Sequence, residues 1–172
     1  MTPAPNNKNL VRLQFLARVV TKECNYLEVT DHRLFAEPFT SDRAKHLADD
    51  PALAERVDAF VGRFGRLQDT LADKLLPILL AALGEQLGAQ IDNLDRAERL
   101  ELIESVDQWL SMRQLRNQMV HEYIEDVAIL ASALQAGHDF VSTLLKTAER
   151  MTTQMERRGW IPSARRRQPG AE

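Results

Sequence analysis

The sequence predicts an all-α fold, an up-and-down bundle of four to five helices with an extra helix at its N-terminal end. Three observations predict it. Apolar residues recur at intervals of three and four over most of the chain. Leu, Ala, Glu, Arg and Gln, all good helix formers, are abundant. No segment keeps the apolar–polar alternation of period two that a half-buried strand requires. At 172 residues the chain can bury one sizeable core and is short for two.

The elements follow in order. "MTPAPNNKN" lacks the apolar run of a signal peptide, and residues 1–8 are expected to be a flexible lead-in. A first helix is predicted from about Asn9 to Leu34, with Leu10, Leu13, Leu16, Val20 and Leu27 at helical spacing. Pro38 ends it, and Thr40, Ser41 and Asp42 can cap a short helix running to about Ala48. From Ala52 to about Gln86 the apolar pattern resumes, and Pro77 is expected to kink or divide that helix. "GEQLGAQIDNLD" reads as a loop, with Asp95 as an N-cap and Glu98 completing a capping box. Helical spacing then continues through "RAERLELIESVDQWLSMRQLRNQMVHEY", bending near Glu104–Ser105. A last helix is predicted from about Glu125 to Arg158. Residues 9–158 thus form a single helical domain, and 159–172 a flexible basic tail.

Bulk properties exclude several classes. With 44% hydrophobic and 27% charged residues and a net charge of −3, the chain is an ordinary globular protein. That balance argues against a nucleic-acid-coated protein while leaving room for a local basic surface. The single cysteine, Cys24, rules out an intramolecular disulfide and a cysteine-rich zinc site, so a cytoplasmic location is expected. "LLPILLAALG" is too short, and too broken by Pro77, to cross a bilayer, so no membrane partner is expected.

P-loop, dinucleotide-binding and zincin signatures are all missing. "GRFG" at 62–65 lies in a helical pattern, where it suits close helix packing better than a phosphate cradle. His32, His46 and His138 have no metal-ligand spacing and read as surface or helix-end residues. Asp49 and Asp50, just before Pro51, suit capping better than metal binding. No metal and no cofactor are expected. Arg165, Arg166 and Arg167, with Arg157 and Arg158 upstream, form the one basic cluster. It is either a solvated tail or a nonspecific phosphate contact, with Trp160 as a stacking surface.

The segment "LRNQMVHEY", Leu115–Tyr123, carries the densest set of reactive side chains. At about 100° per residue, Trp109, Met112, Leu115, Met119 and Val120 define one apolar arc, and Arg116 projects from within it. Tyr123 points the same way as Arg116, while Asn117 and His121 share a different side. A guanidinium on an apolar side needs a partner, because burying it alone is costly. That partner is either a carboxylate from a neighbouring helix or a substrate phosphate, with His121 moving a proton near neutral pH. Arg116 and His121 diverge by about 140° on a straight helix. One copy of the segment therefore does not aim both at one atom, whereas a two-fold partner would.

The Arg, Asn, three-residue gap and His of this segment, at Arg116, Asn117 and His121, resemble the signature of the HEPN domain superfamily. Tyr123, two places on, is similar to the HepT branch, the toxin half of HepT–MntA-type toxin–antitoxin pairs. "FGRLQDTL" and "LDRAERLELIESVDQWLSMRQLRN" are similar to that group as well, and the resemblance extends over roughly 52–150. It implies a HEPN-like bundle that dimerises through its motif helices and acts as a metal-independent endoribonuclease at a composite cleft. Arg116, Asn117 and His121 would be catalytic, with Arg113, Arg165, Arg166 and Arg167 as further RNA contacts. A homodimer, an RNA substrate and an MntA-like nucleotidyltransferase antitoxin would be the partners, the antitoxin transferring AMP to Tyr123. A two-fold interface with Met112, Arg116, Met119 and Tyr123 is expected. A catalytically silent member that presents substrate to its nucleotidyltransferase, and a purely structural helical adaptor, are the competing expectations.

Overall fold

A computed structural model describes residues 4–121 and 125–163, and all regular structure among them is helical. Helix α1 spans Asn7–Leu34, α2 Ser41–Lys45, α3 Pro51–Asp69, α4 Leu76–Ala82, α5 Gln90–Arg99, α6 Val106–His121 and α7 Val127–Arg157. The long helices α1, α3, α6 and α7 pack around one core, with α3 in contact with each of the other three. Phe60, Phe64 and Leu67 of α3 fill its centre, with Leu13, Leu16 and Leu27 of α1 on one side. Trp109, Met112 and Met119 of α6 and Leu130, Leu134 and Leu144 of α7 complete it.

Local chemistry sets the boundaries. Helix α1 starts two residues before the expected position, because the Asn6 side chain accepts the Asn9 N–H at 2.8 Å. Residues 7 and 8, assigned to a flexible lead-in from sequence, are therefore the first turn of a helix. Arg43 closes the far end by donating to the carbonyls of Leu34 and Glu37, at 2.5 and 2.8 Å. Burial holds its pKa below the usual arginine value. The Asp50 side chain accepts the Leu53 N–H at 3.0 Å and starts α3, so the Asp49–Asp50 pair does include a cap.

Pro77 acts through a change of register. Between α3 and α4 the chain forms a π turn, Thr70–Leu75, in which the Leu76 N–H donates to the Leu71 carbonyl five residues back. Proline has no N–H to give and clashes with the carbonyl four residues earlier, and the wider turn just before it accommodates both effects.

Two expectations fail in the following segment. Helix α5 begins at Gln90, five residues before the expected cap at Asp95, which lies exposed within the helix. Asp92 accepts the Ala89 N–H and Asn93 accepts the Gly88 N–H, so side chains of the first turn fix the chain where it enters the helix. The predicted bend near Glu104 is a full break between Arg99 and Val106. Leu102 and Ile103 turn inward to the core there, and the Glu98 carboxylate accepts the Val106 N–H at 2.6 Å.

The start of the expected C-terminal tail is also part of the fold. Gly159, at φ +72°, turns the chain so that Trp160 and Ile161 pack into the core, each 7% exposed. Gln14 of α1 donates to the Trp160 carbonyl at 3.1 Å. A buried Trp160 does not provide the stacking surface considered from sequence.

Candidate functional site

Helix α6 carries the motif, and its faces differ. Val106, Trp109, Met112, Leu115 and Met119 are buried, whereas Leu110, Gln114, Asn117, Val120 and His121 are exposed. Arg116 lies at the border, its side chain 31% exposed. Val120, assigned to the apolar arc, is 53% exposed. The full burial of Met112 and Met119 corrects the expected two-fold interface, since side chains that fill the protomer's own core cannot face a partner. The α6 surface open to another molecule includes the row of Leu110, Gln114, Asn117 and His121, flanked by the exposed Ser111, Gln118 and Val120.

Arg116 is held by α3. Its Nη1 donates to Asp69 Oδ1 at 2.8 Å, and the Asp69 side chain is itself 36% exposed. The stem crosses α3 directly above Gly65, where a Cβ would stand 2.6 Å from the Arg116 Nε. Any side chain at position 65 would occupy the guanidinium's path, so Gly65 permits a close approach of a side chain to helix backbone. This is the carboxylate partner left open by the sequence. The pair occupies one of the five N–H donors of the guanidinium, and a partly exposed arginine keeps the others for a second anion.

Asn117 and His121 lie on the exposed face of α6 without a hydrogen bond to any other described residue. Arg113 is engaged elsewhere: it donates to the Gln90 side-chain oxygen, and the Gln90 amide donates to Asp73 in the π turn. The chain Arg113–Gln90–Asp73 thereby ties α6 to α5 and to the π turn that follows α3. Tyr123 and Arg165, Arg166 and Arg167 lie outside the described residues.

Next to the Arg116–Asp69 pair, the π turn presents Thr70, whose hydroxyl donates to Glu23 Oε1 of α1 at 3.2 Å. Burial pushes the Glu23 carboxyl above the usual carboxylate range, and the nearby Asp69 charge adds to this. Thr70, Arg66 and Lys74 act in the opposite direction. Sequence reasoning had no signal for this contact, which depends on the register shift before Pro77. The neighbouring Cys24 thiol is pushed up to about 12 by burial and by the Glu23 and Glu28 charges, which removes it as a nucleophile near neutral pH.

His138 was expected at a surface or helix end. It lies instead in the middle of α7, with Nδ1 at 2.7 Å from Oδ1 of the buried Asp31 and its ring stacked on Phe35. A lone histidine gives no sequence signal for a carboxylate 107 positions away. Among the described residues no three His, Cys, Asp or Glu side chains are grouped to hold a metal ion. A cleft of about 730 Å³ lies away from α6's exposed row, between the α5–α6 turn and α7. Glu98, Glu101, Glu104 and Glu149 line it with Arg150 and Arg157, a balance that repels a polyanion.

No family model, no curated protein and no solved structure matches the chain. No helix among the described residues is long and apolar enough to cross a membrane.

Proposed function

We propose that the chain is a HEPN-like, metal-independent endoribonuclease, the toxin component of a type VII-like toxin–antitoxin pair. One observation carries this reading. The Arg-Asn-x-x-x-His pattern lies on the surface helix α6, with Arg116 fixed at its edge and Asn117 and His121 on its outer face without a hydrogen-bond partner among the described residues. Guanidinium, amide and imidazole together suit phosphodiester cleavage without a metal.

The reaction follows from those groups. The 2′-hydroxyl of the RNA attacks the adjacent phosphorus, the bond from phosphorus to the 5′-oxygen breaks, and a 2′,3′-cyclic phosphate forms. One imidazole takes the 2′-hydroxyl proton, and a second delivers a proton to the departing 5′-oxygen. A guanidinium offsets the charge that grows on the non-bridging oxygens. Arg116 and His121 of one helix diverge by about 140°, so a homodimer built on the exposed row of α6 completes the site. Asn117 orients the imidazole or the RNA by hydrogen bonding. AMP transfer to Tyr123, two positions after His121 in the sequence, by a cognate nucleotidyltransferase antitoxin would add a bulky anion that blocks the cleft.

The 2.8 Å pairing of Arg116 with Asp69 favours a second reading. In it the protein is catalytically silent, Arg116 is structural, and the chain binds a nucleotidyltransferase and presents substrate to it. RNA cleavage in excess EDTA separates the two. Cleavage by the wild type, with a loss of about 100-fold or more in Arg116→Ala and in His121→Ala, is expected. Absence of cleavage, or cleavage unchanged in both variants, rejects the enzyme. Intact mass after co-expression with a nucleotidyltransferase tests the modification: an adenylate adduct on wild type that is lost in Tyr123→Phe is expected.

A further inference from the structure

Charge is segregated on this protein despite its small net value. Helix α1 has five exposed cations, Lys8, Arg12, Arg18, Lys22 and Arg33, against one exposed carboxylate, Glu28. Its other two carboxylates are withdrawn, Glu23 toward Thr70 and Asp31 toward His138. By contrast, residues 85–107 carry seven carboxylates and two arginines. The two ends of this distribution attract opposite partners.

The cations of α1 share a face with its exposed apolar side chains. At about 100° per residue, Arg18, Lys22 and Arg33 fall within an arc of about 80° that also contains Val11, Phe15, Tyr26 and Val29. All seven are solvent-exposed, including Tyr26 at 56%. Each aromatic ring has a guanidinium over it: Arg12 stands 5.3 Å from the Phe15 centroid, and Arg63 of α3 stands 5.4 Å from that of Tyr26. The stripe runs into a groove of about 490 Å³ between α1 and α3, lined by Thr30, Arg33, Arg56 and Arg63, with Glu55 as its one carboxylate. Arg63 is anchored there by neutral oxygens, the Tyr26 carbonyl and the Thr30 hydroxyl, and forms no ion pair among the described residues. Arg33 has no hydrogen-bonding partner among the described residues.

We infer that the outer face of α1 and the α1–α3 groove form a binding track for single-stranded RNA. Rows of unpaired cations follow a phosphate backbone, and exposed rings between them stack on unpaired bases irrespective of sequence. From Val11 to Arg33 the stripe is about 33 Å long, which accommodates several nucleotides. A lipid surface would also meet cations and apolar groups, but a groove flanked by three arginines and closed by a second helix suits a discrete phosphate better than a flat bilayer. The inference rests on RNA being the substrate class, and it assigns to α1 the grip on chain segments remote from the scissile bond.

The test measures anisotropy of a fluorescein-labelled, unstructured 20-nucleotide RNA in EDTA, using the His121→Ala protein so that the probe stays intact. The triple variant Arg18→Glu/Lys22→Glu/Arg33→Glu is expected to bind more than tenfold more weakly. Its salt dependence should be shallower by about two units in the log–log slope. Tyr26→Ala should lose about tenfold with the slope unchanged. Arg99→Glu, a charge reversal in the acidic region, should bind as the parent does. Circular dichroism establishes that each variant keeps its helix content.

Equal affinity in the folded triple variant overturns the track, as does a parent that binds no RNA. Loss of binding to vesicles with 30% phosphatidylserine, with RNA affinity unaffected, also overturns it and assigns the face to membranes. Cleavage distinguishes this failure from that of the proposed function. An active wild type whose triple variant binds and cleaves RNA equally well rejects the track alone. An inactive wild type that binds RNA through the stripe rejects the nuclease alone.

Discussion

Arg116 and Arg63 both lie along α3, one in the seam with α6 and the other in the seam with α1, yet their partners differ in charge. Arg116 meets the Asp69 carboxylate, so its seam is close to neutral. Arg63 meets a carbonyl and a hydroxyl, so its seam keeps a positive field next to Arg33 and Arg56. An arginine held by a carboxylate is positioned but partly neutralised, and a phosphate must share or displace its partner. An arginine held by neutral oxygens is positioned and still fully attractive to anions. On that basis the α6 seam is suited to precise placement at one point, and the α1 seam to a sequence-independent grip.

If the α6 seam is held by apolar packing beneath its ion pair, its methionines should matter most. Met112→Ala and Met119→Ala are each expected to cost about 2–5 kcal/mol in urea unfolding, with a midpoint that shows the loss at every protein concentration. Met119 lies against Gly137 of α7, where a Cβ would stand 3.2 Å from its sulfur, so Gly137→Ala should also disturb it. A loss seen only at concentrations where a dimer dissociates would return these side chains to an interface.

The α1 side has its own buried polar joint. Asp31→Ala leaves the His138 Nδ1 without its acceptor, and about 1–3 kcal/mol of destabilisation is expected. Little or no change on denaturation would mean that the Phe35 ring, and not the carboxylate, holds His138 in place.

Both seams show which parts of the molecule were legible in the sequence. The helices themselves were, because α1, α3 and α7 bury residues at regular helical spacing and start at ordinary caps such as Asp50 and Asp126. The same periodicity put Arg116 within the apolar arc of α6, whereas packing leaves it at the border of that arc, 31% exposed. It could not choose its partner: Asp69 lies 47 positions away, and only the packing of α3 against α6 brings it there. The break at 100–105 was hidden because Leu102 and Ile103 are core residues in an irregular turn and mimic a continued helix. The π turn was hidden for a related reason, since proline signals trouble in a helix but not which way the backbone yields. The basic stripe needed the withdrawal of Glu23 and Asp31 from the surface of α1, a tertiary fact with no local signature.

The ion pair at the neutral seam should contribute less to stability than its position suggests. Gly65→Ala places a methyl 2.6 Å from the Arg116 Nε and forces the guanidinium aside. Alanine's better helix propensity, about 1 kcal/mol over glycine, offsets an exposed pair contributing about 0.2–1 kcal/mol. The net change in unfolding free energy is therefore expected to lie within about 1 kcal/mol of zero. A double-mutant cycle with Asp69→Asn sharpens this: the cost of Asp69→Asn should vanish in the Gly65→Ala background. An undiminished cost there would show that Asp69 acts through another group.

The smallest effect concerns Glu23, which touches both seams: it accepts from Thr70 in the π turn, and the Asp69 charge reaches it. Burial is the largest cause of its raised pKa, so the folded protein holds this proton more tightly than the unfolded chain. The stabilising contribution is then fully present below the ordinary value of 4.5 and is lost as pH rises through the folded pKa. At neutral pH the ionised carboxylate is a net cost. Glu23→Gln keeps an oxygen for the Thr70 hydroxyl and removes that cost. It should raise Tm by about 1–2 °C at pH 7, with the advantage shrinking toward zero at pH 4. In the Asp69→Asn background the gain should be smaller, because one of the charges that raise Glu23's pKa is gone. A gain that grows as the pH falls would reverse the sign of the linkage and show that Arg66 and Lys74, not burial, govern the carboxylate where the two seams meet.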